Sequence, residues 1–199
     1  MKNFRPLILT VLLLSTAAAA LPATAADYDV DVAHSSVGFE VKHMAISKTR
    51  GTFDDYTASF TFEPGKPETW SCEAVIQAAS VNTNNEKRDE HLRSEDFFDV
   101  AKVPTLTFKS TSVKMEDDEE GVMTGELTIH GVTKTVELEL ELLGTVTDPW
   151  GNERAGFSAE TKINRKDYGL TYNSVMEAGG LLIGEEVKIT IEIEGIKAK

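Results

Sequence analysis

Histidines, arginines and a single cysteine are the side chains of this sequence best suited to chemistry. His43, His91 and His130 could bind a metal ion or transfer protons, but their spacing is not that of a zinc site. Cys72 lies in a strand-like segment with no histidine placed to activate its thiol as a nucleophile. The sequence has neither a glycine-rich phosphate-binding motif nor the G-x-S-x-G motif of serine hydrolases. We therefore predict that the protein is not an enzyme and has no catalytic residue, metal site or cofactor.

The composition excludes one class of partner and restricts the use of the cysteine. The 199 residues include 33 acidic and 20 basic ones, which gives a formal net charge of −13. Such an acidic chain is unsuited to nucleic acid, because the phosphate backbone requires a basic surface. Hydrophobic residues make up 41% of the chain, as is typical of a globular protein. A single cysteine cannot form an intrachain disulfide, so we expect Cys72 to be buried in a strand, with an intermolecular disulfide as the alternative.

The N-terminal segment has the features of a secretory signal peptide. Lys2 and Arg5 precede a short apolar run, and a small-x-small cleavage signal ends at Ala25. The alternative, a membrane anchor, is disfavoured because the run is shorter than the roughly 20 apolar residues that a span requires. We predict a signal peptide over residues 1–25, cleavage after Ala25, and one exported domain over 26–199. No later stretch is apolar enough to span a membrane, so we expect no integral membrane span.

Apolar and polar residues alternate along almost all of the remaining chain. Val187, Ile189 and Ile191, for example, alternate with Lys188 and Thr190. Strict alternation is typical of strands with one buried face, and short connections favour antiparallel neighbours. We therefore predict an all-β domain in which eight antiparallel strands close into a barrel or stack as a sandwich. The strands are expected near 35–43, 47–63, 71–83, 104–115, 121–130, 133–147, 153–164 and 185–195.

The apolar faces of these strands carry small residues beside large ones. An eight-stranded barrel is either filled by its side chains or holds one small ligand. The small residues favour an elongated apolar cavity, whereas a solid core of interdigitating small and large side chains is the alternative. The small residues on the inward faces are Ala58, Ala74, Ala78, Gly125 and Ala159.

One end of the predicted barrel differs from the other. Antiparallel order places the connections 43–47, 84–103, 130–133 and 165–184 at the same end. The connection between the third and fourth strands contains a predicted short helix, which Asn85 can cap. Arginines and three of the four histidines also lie at this end. They could receive a polar or anionic head group while an apolar chain enters the barrel, or they could simply be solvated charges and salt bridges.

Several blocks of this sequence resemble the YceI-like family of polyisoprenoid-binding proteins. Two of them are HSSVGF at 34–39 and KRDEHLRSEDFFD at 87–99. One departure is Thr135, where the family pattern has a proline, and it affects only the start of a strand. The matching blocks keep their order and approximate spacing, and the others are 41–44, 50–53, 104–108, 125–134, 163–169 and 186–189.

The resemblance implies a lipocalin-like barrel of eight antiparallel strands with one short helix and an interior tunnel. It implies that the ligand is a long-chain polyisoprenoid, an isoprenoid quinone or a similar amphiphile, and that the protein is periplasmic and often a homodimer. On this basis, His43, Arg88, His91 and Arg165 are expected to contact the ligand head group. The residues expected to line the tunnel, with the last two forming a lid, are Phe39, Val41, Phe53, Phe60, Ile76, Leu106, Phe108, Leu127, Leu138, Phe157, Ile163, Phe97 and Phe98.

Two other functions are compatible with the same sequence. The first is an enzyme that acts on an isoprenoid or lipid head group, which would require an acid–base pair close to the barrel entrance. The second is an interaction protein without a ligand, which would combine a solid core with a large exposed apolar patch.

Overall fold

The structure, a computed structural model, describes residues 25–175 and 181–199. The predicted signal peptide therefore lies outside the described residues, apart from Ala25. No helix among the described residues is long and apolar enough to cross a membrane. The strands and the helix are β1 (Ala26–Val30), β2 (Ser36–His43), β3 (Ser47–Phe53), β4 (Tyr56–Phe62), β5 (Ser71–Gln77), β6 (Val81–Asn82), α1 (Glu86–Arg93), β7 (Thr105–Met115), β8 (Glu120–Ile129), β9 (Val132–Thr147), β10 (Glu153–Asn164) and β11 (Ile183–Lys197).

The strands form a closed antiparallel barrel with eight positions around its circumference. β11 pairs with β10 on one side and with both β1 and β2 on the other, so β1 and β2 together fill one position. In the same way β3 and β4 fill the second position, and β5 and β6 fill the third. β7 pairs with β5, and β8 to β11 follow in chain order, each paired with the strand before it. The predicted eight-stranded antiparallel barrel, with its short helix between the third and fourth positions, is confirmed.

Each of the first three barrel positions is formed by two shorter strands, whereas the alternation predicted one strand at each. The predicted strand 47–63 is two strands, because the Asp54 carboxylate accepts hydrogen bonds from the Thr52 hydroxyl and the Asn82 amide (both 2.7 Å) and the chain bends there. The predicted strand 71–83 is interrupted by a 3-10 helix, Ala78–Ser80. β1 was not predicted at all, because its five residues include two aspartates and its order comes from pairing with both β4 and β11.

The connections separate the barrel into two ends, as the antiparallel order predicts. Strands of up to 16 residues separate these ends by about 50 Å along the chain. The end that carries α1 is called the mouth, and its connecting segments are 44–46, 83–104, 130–131 and 165–182. The opposite end is called the base, and its turns are 63–70, 116–119 and 148–152.

Aromatic side chains close the base from inside. Tyr28 stacks on Phe60 with ring centroids 5.0 Å apart, and Phe157 meets Phe60 and Phe62 edge-on at 5.3 Å. Trp70 packs against Phe62 at 4.9 Å, and its indole N–H donates to the Glu63 carbonyl at 2.7 Å. The indole can be buried here because its single polar group has a partner.

An ion-pair network ties the outer edge of the base together. The Arg154 guanidinium donates to the carboxylates of Asp148 (2.8 Å), Asp31 (2.9 Å) and Glu194. These carboxylates come from the β9–β10 turn, the β1–β2 connection and β11. Arg154 therefore joins three segments that are distant in sequence, at the point where the barrel closes.

Charged side chains also anchor α1 across the mouth. Asn85 caps the helix by accepting from the Arg88 amide at 3.1 Å, as its sequence position predicts. The Asp89 carboxylate is buried and accepts from both the amide (2.9 Å) and the hydroxyl of Thr83. Arg93 donates to the carbonyls of Ala79 (2.7 Å) and Val81 (3.0 Å). The helix is thus fixed by polar contacts with the segment before it, since it presents few apolar side chains.

Candidate functional site

The barrel interior contains two cavities that follow one another along its axis. The lower cavity, nearer the base, has a volume of about 120 Å³ and a wholly apolar accessible wall. The upper cavity, at the mouth, has a volume of about 310 Å³ and includes a few polar groups in its wall. Ile189 lines both cavities, so they meet at its level. The predicted elongated apolar interior is present, and the core is not solid.

Every residue predicted to line a tunnel lies on the wall of one of these cavities. Phe97 is buried and Phe98 packs edge-on against Phe53 at 5.6 Å, and both line the upper cavity; their role as a lid stays a prediction. The residues on the lower wall are Phe60, Ile76, Phe108, Leu127, Leu138 and Phe157. Those on the upper wall are Phe39, Val41, Phe53, Phe97, Phe98, Leu106 and Ile163.

The small inward residues act in two different ways. Ala58, Ala74 and Ala159 line the lower cavity and leave space there, as the sequence predicts. Gly125 does not leave space, because a Cβ atom at this position would lie 2.4 Å from the ring of Phe108 on the neighbouring strand. The glycine instead provides the room that the Phe108 ring occupies.

The four residues predicted to meet a head group all line the upper cavity, and Arg165 is the most constrained of them. Arg165 is only 4% exposed, and its guanidinium donates to the carbonyls of Gly184 (2.8 Å) and Leu170. Burial lowers the pKa of this guanidinium from its usual range, and Glu185 opposes that shift. Within the described residues no carboxylate forms an ion pair with Arg165. Among the described residues, the charge of this buried cation is balanced by main-chain dipoles and by the more distant Glu185.

The other three candidate residues surround the same space. Arg88 donates to the hydroxyl (2.7 Å) and carbonyl (2.9 Å) of Thr83, which fixes its direction. The His91 ring bonds to the Asp96 carboxylate at 2.8 Å. The half-buried His43 ring makes no side-chain hydrogen bond to another described residue. His43 and Arg165 are thus the candidates with the fewest competing polar side chains.

Tyr172, on the segment between β10 and β11, completes the cover of the upper cavity and was missed in the sequence. Its ring packs against His91 (4.8 Å between centroids) and Phe97 (5.1 Å). Leu170 and Leu182 from the same segment also line the cavity. The length of this connection was the available signal, because long structured connections are often lids or binding loops.

Cys72 lies on β5 with its side chain toward the lower cavity. Burial raises the pKa of the Cys72 thiol to about 11, so the thiol is protonated at neutral pH. This agrees with the predicted buried strand residue. An intermolecular disulfide would require the barrel to open, since the sulfur is inside it.

Tyr56 lies near the junction of the two cavities and carries an unpartnered hydroxyl. The residue is 8% exposed and lines the lower cavity, and its buried hydroxyl has no hydrogen-bond partner within the described part of the chain. We expect Tyr56→Phe to raise the free energy of unfolding of the ligand-free protein by about 1 kcal/mol, because it removes a desolvated donor. Urea denaturation would measure this, and a clear loss of stability would contradict it.

The mouth histidines do not form a metal site in the described residues. The single grouping of metal-ligating side chains found there is Asp31, His34 and Glu194, which lies at the base. Arg154 already bonds to both of its carboxylates. These acids therefore serve the ion-pair network.

Comparison with known proteins gives one family and a set of related structures. The model of the YceI-like domain matches residues 28–195. Protein YceI of Salmonella newport is 42% identical over 200 residues, which cover 100% of this chain and 99% of that protein.

Solved structures show the same barrel. The Campylobacter jejuni YCEI protein is 38% identical with a TM-score of 0.70, over 85% of this chain and 96% of that one. A polyisoprenoid-binding domain from Saccharophagus degradans is 18% identical with a TM-score of 0.64, over 86% of this chain and 98% of that domain. At this lower identity, the second likeness concerns the fold alone.

Proposed function

Because this chain belongs to the YceI-like family, we propose that it is a binding or carrier protein that holds a long-chain polyisoprenoid, an isoprenoid quinone or a similar amphiphile in its barrel. The observation that carries the proposal is the pair of apolar cavities that follow one another inside a closed barrel. The name of the Saccharophagus degradans domain, a polyisoprenoid-binding domain, supports the same class of ligand. The protein supplies no catalytic group or cofactor in this proposal.

Burial of the chain would supply most of the binding free energy. Each methylene that moves from water into an apolar site contributes about 0.8 kcal/mol. A long prenyl chain gains this at many carbons, whereas a short chain occupies only one of the two cavities. The wholly apolar lower wall would select for the hydrocarbon part of the ligand and against polar groups.

The head group would remain in the upper cavity. Polar groups there converge from three segments, with His43 on β2, His91 on α1 and Arg165 after β10. Arg165 is suited to a quinone carbonyl or a phosphate, because a buried guanidinium that pairs with no carboxylate of the described residues gains from a ligand oxygen. These contacts would orient the ligand and add selectivity, since few polar groups in an apolar pocket fix orientation.

Mass spectrometry of organic extracts from the purified protein tests the proposal. We expect one dominant long-chain isoprenoid lipid in near-equimolar amount. Repeated absence of any long-chain lipid from extracts of the protein and from the protein incubated with polyprenols would refute it. The proposal also includes a periplasmic location and a homodimer, which fractionation of the producing cell and sedimentation velocity would check.

The paired side chains of His91 and Asp96 keep an enzymatic alternative open to test. They are 2.8 Å apart and His91 lines the upper cavity, so an acid–base pair does lie near the mouth. Both side chains are nearly half exposed to solvent, so the pair is not shielded from bulk water. We expect no turnover of polyprenyl phosphates or quinones by the protein, and turnover that His91→Gln abolishes would favour the enzyme.

A further inference from the structure

The mouth exposes apolar side chains that do not contribute to the barrel core. Ile46, in the β2–β3 turn, is 84% exposed, and Val175, in the β10–β11 segment, is 79% exposed. Single exposed apolar residues are common on proteins, whereas several on one rim indicate an interaction surface. The rim patch, as we call it, consists of Met44, Ile46, Val132, Val175 and Leu181.

Main-chain contacts bring most of this rim patch together. The Met44 amide donates to the Leu182 carbonyl at 2.8 Å, and Val175 pairs with Leu181 in an antiparallel bridge. The β2–β3 turn and the β10–β11 segment are therefore neighbours. Val132 follows the β8–β9 turn, which reaches the same segment through His130 and Gly169.

The β2–β3 turn has apolar residues at two positions whose backbone conformation favours Asn and Gly. Met44 and Ala45 have φ values of 53° and 60°, and the Ile46 amide donates to the His43 carbonyl at 3.2 Å. This is the pattern of a β-turn with positive φ at both central residues, a conformation that favours Asn-Gly. Met-Ala is a strained and apolar choice at this position, so folding alone does not account for it.

The base is more acidic than the mouth, whose connecting segments contain eight acidic and six basic residues, and the part of the mouth beside the rim patch is basic. Segments 42–50 and 130–135, which lie beside the rim patch, contain no acidic residue. Glu40, just before the first of them, forms salt bridges with Lys48 and Arg50. The base turns 63–71, 116–121 and 148–152 instead contain eight acidic residues and one basic residue. The basic residues beside the rim patch are Lys42, Lys48, Arg50 and Lys134.

We propose that the mouth docks onto the surface of an anionic phospholipid bilayer through the rim patch. Exposed apolar side chains flanked by basic ones match the apolar interior and anionic surface of such a bilayer. The acidic base lies far beyond the Debye length of about 8 Å, so its charge does not oppose docking and disfavours the reverse orientation. A second copy of the chain is a poorer partner for the rim patch, because the basic residues beside the two rim patches would repel each other.

Docking would place the barrel entrance where an apolar ligand leaves or enters a membrane. That consequence rests on the proposed function, whereas the docking itself does not require a ligand in the barrel. The two can therefore fail separately, since lipid extraction measures one and vesicle binding the other.

Vesicle flotation with the purified protein tests the docking. Vesicles of phosphatidylcholine with an equal amount of phosphatidylglycerol should bind the protein, pure phosphatidylcholine should bind it weakly, and added salt should weaken binding.

Ile46→Asp should reduce the affinity about tenfold or more, because it replaces a fully inserted apolar side chain with an anion. The double variant Met44→Asn with Ala45→Gly should also reduce binding while its Tm stays the same or rises, because it relaxes the turn.

The base provides the matched control. Trp150 is 79% exposed in the β9–β10 turn, so Trp150→Ser removes a similar apolar side chain from the acidic end and should leave vesicle binding unchanged. Failure of the wild type to bind the anionic vesicles would overturn the proposal. So would loss of binding in Trp150→Ser, or full binding by both mouth variants. A dimer that Ile46→Asp dissociates, without vesicle binding, would assign the rim patch to a second copy and also overturn it.

Discussion

Ala74→Phe is expected to weaken the binding of a long prenyl chain by about two orders of magnitude while it leaves the binding of a short chain nearly unchanged. Ala74 lies on β5 between Ala58 and Phe108 on the neighbouring strands, and all three line the lower cavity. A phenyl group at this position would fill most of a cavity of about 120 Å³. If about four methylenes of the ligand lose their burial, the loss is about 3 kcal/mol.

Competition with a fluorescent lipid, using prenols of increasing length, would measure this effect. Val75→Phe is the matched control, because the next residue on the same strand is exposed on the outer face of the barrel and carries the same added ring. The control should bind all chain lengths like the wild type. Equal loss for short and long prenols, or no loss in Ala74→Phe, would contradict the assignment of the lower cavity to the end of the chain.

Arg154→Met is expected to lower the Tm by roughly 5 °C or more, which is large for one surface-proximal residue. The variant retains the length of the side chain but leaves the carboxylates of Asp31, Asp148 and Glu194 close together without their shared cation. Removing one partner of a desolvated charge cluster costs more than the net contribution of an exposed pair. The loss should also loosen the closure between β1 and β11.

The pH dependence identifies the cause of this loss. The hydrogen bond from Arg154 lowers the pKa of Asp31. Desolvation raises the pKa of Asp148, but hydrogen bonds from Asn152 and Arg154 outweigh this effect, so the pKa of Asp148 falls below its usual range. Carboxylates with a lowered pKa in the folded state stabilise it above their unfolded pKa of about 3.9, and this contribution disappears as the pH falls below that value. The difference in Tm between wild type and Arg154→Met should therefore be largest near neutral pH and shrink below about pH 4.

Thermal unfolding across this pH range would measure both effects. Lys109→Met is the control, since Lys109 pairs with Glu73 in a fully solvated setting on the barrel wall. An exposed pair of this kind contributes little, so the control should change the Tm only slightly at any pH. A Tm loss in Arg154→Met that does not depend on pH would indicate lost packing of the side chain instead.

Local rules were sufficient for most of the fold. Alternation along β7 to β11 predicted both their extent and their inward faces, because a strand with one buried face shows its burial in its own sequence. The Asn85 cap was likewise visible, since capping depends on residues three positions apart. The same rules failed at β1, where order depends on strands more than thirty and more than one hundred and sixty residues away.

The sequence predicted at which end of the barrel the candidate site residues lie, but not which atoms they contact. Antiparallel order places His43, His91 and Arg165 at one end whatever the details of the loops, and the structure has them on one cavity wall. The sequence did not reveal that main-chain carbonyls hold the Arg165 guanidinium, or that Tyr172 covers the cavity. Such contacts depend on how a long connection folds back, which residue types alone do not specify.

The amino-acid sequence by itself determined an acidic all-β chain, the inward face of each regular strand, and the family to which the blocks of residues belong. Periodicity and motif order are local properties, so they can be seen without coordinates. Only the tertiary structure decided that small residues leave space at Ala58 and Ala74 but not at Gly125, where the Phe108 ring occupies it. It also decided that the interior forms two cavities and that one arginine joins three segments at the base. Cavities and ion-pair networks arise from residues of distant segments, so no stretch of sequence contains them.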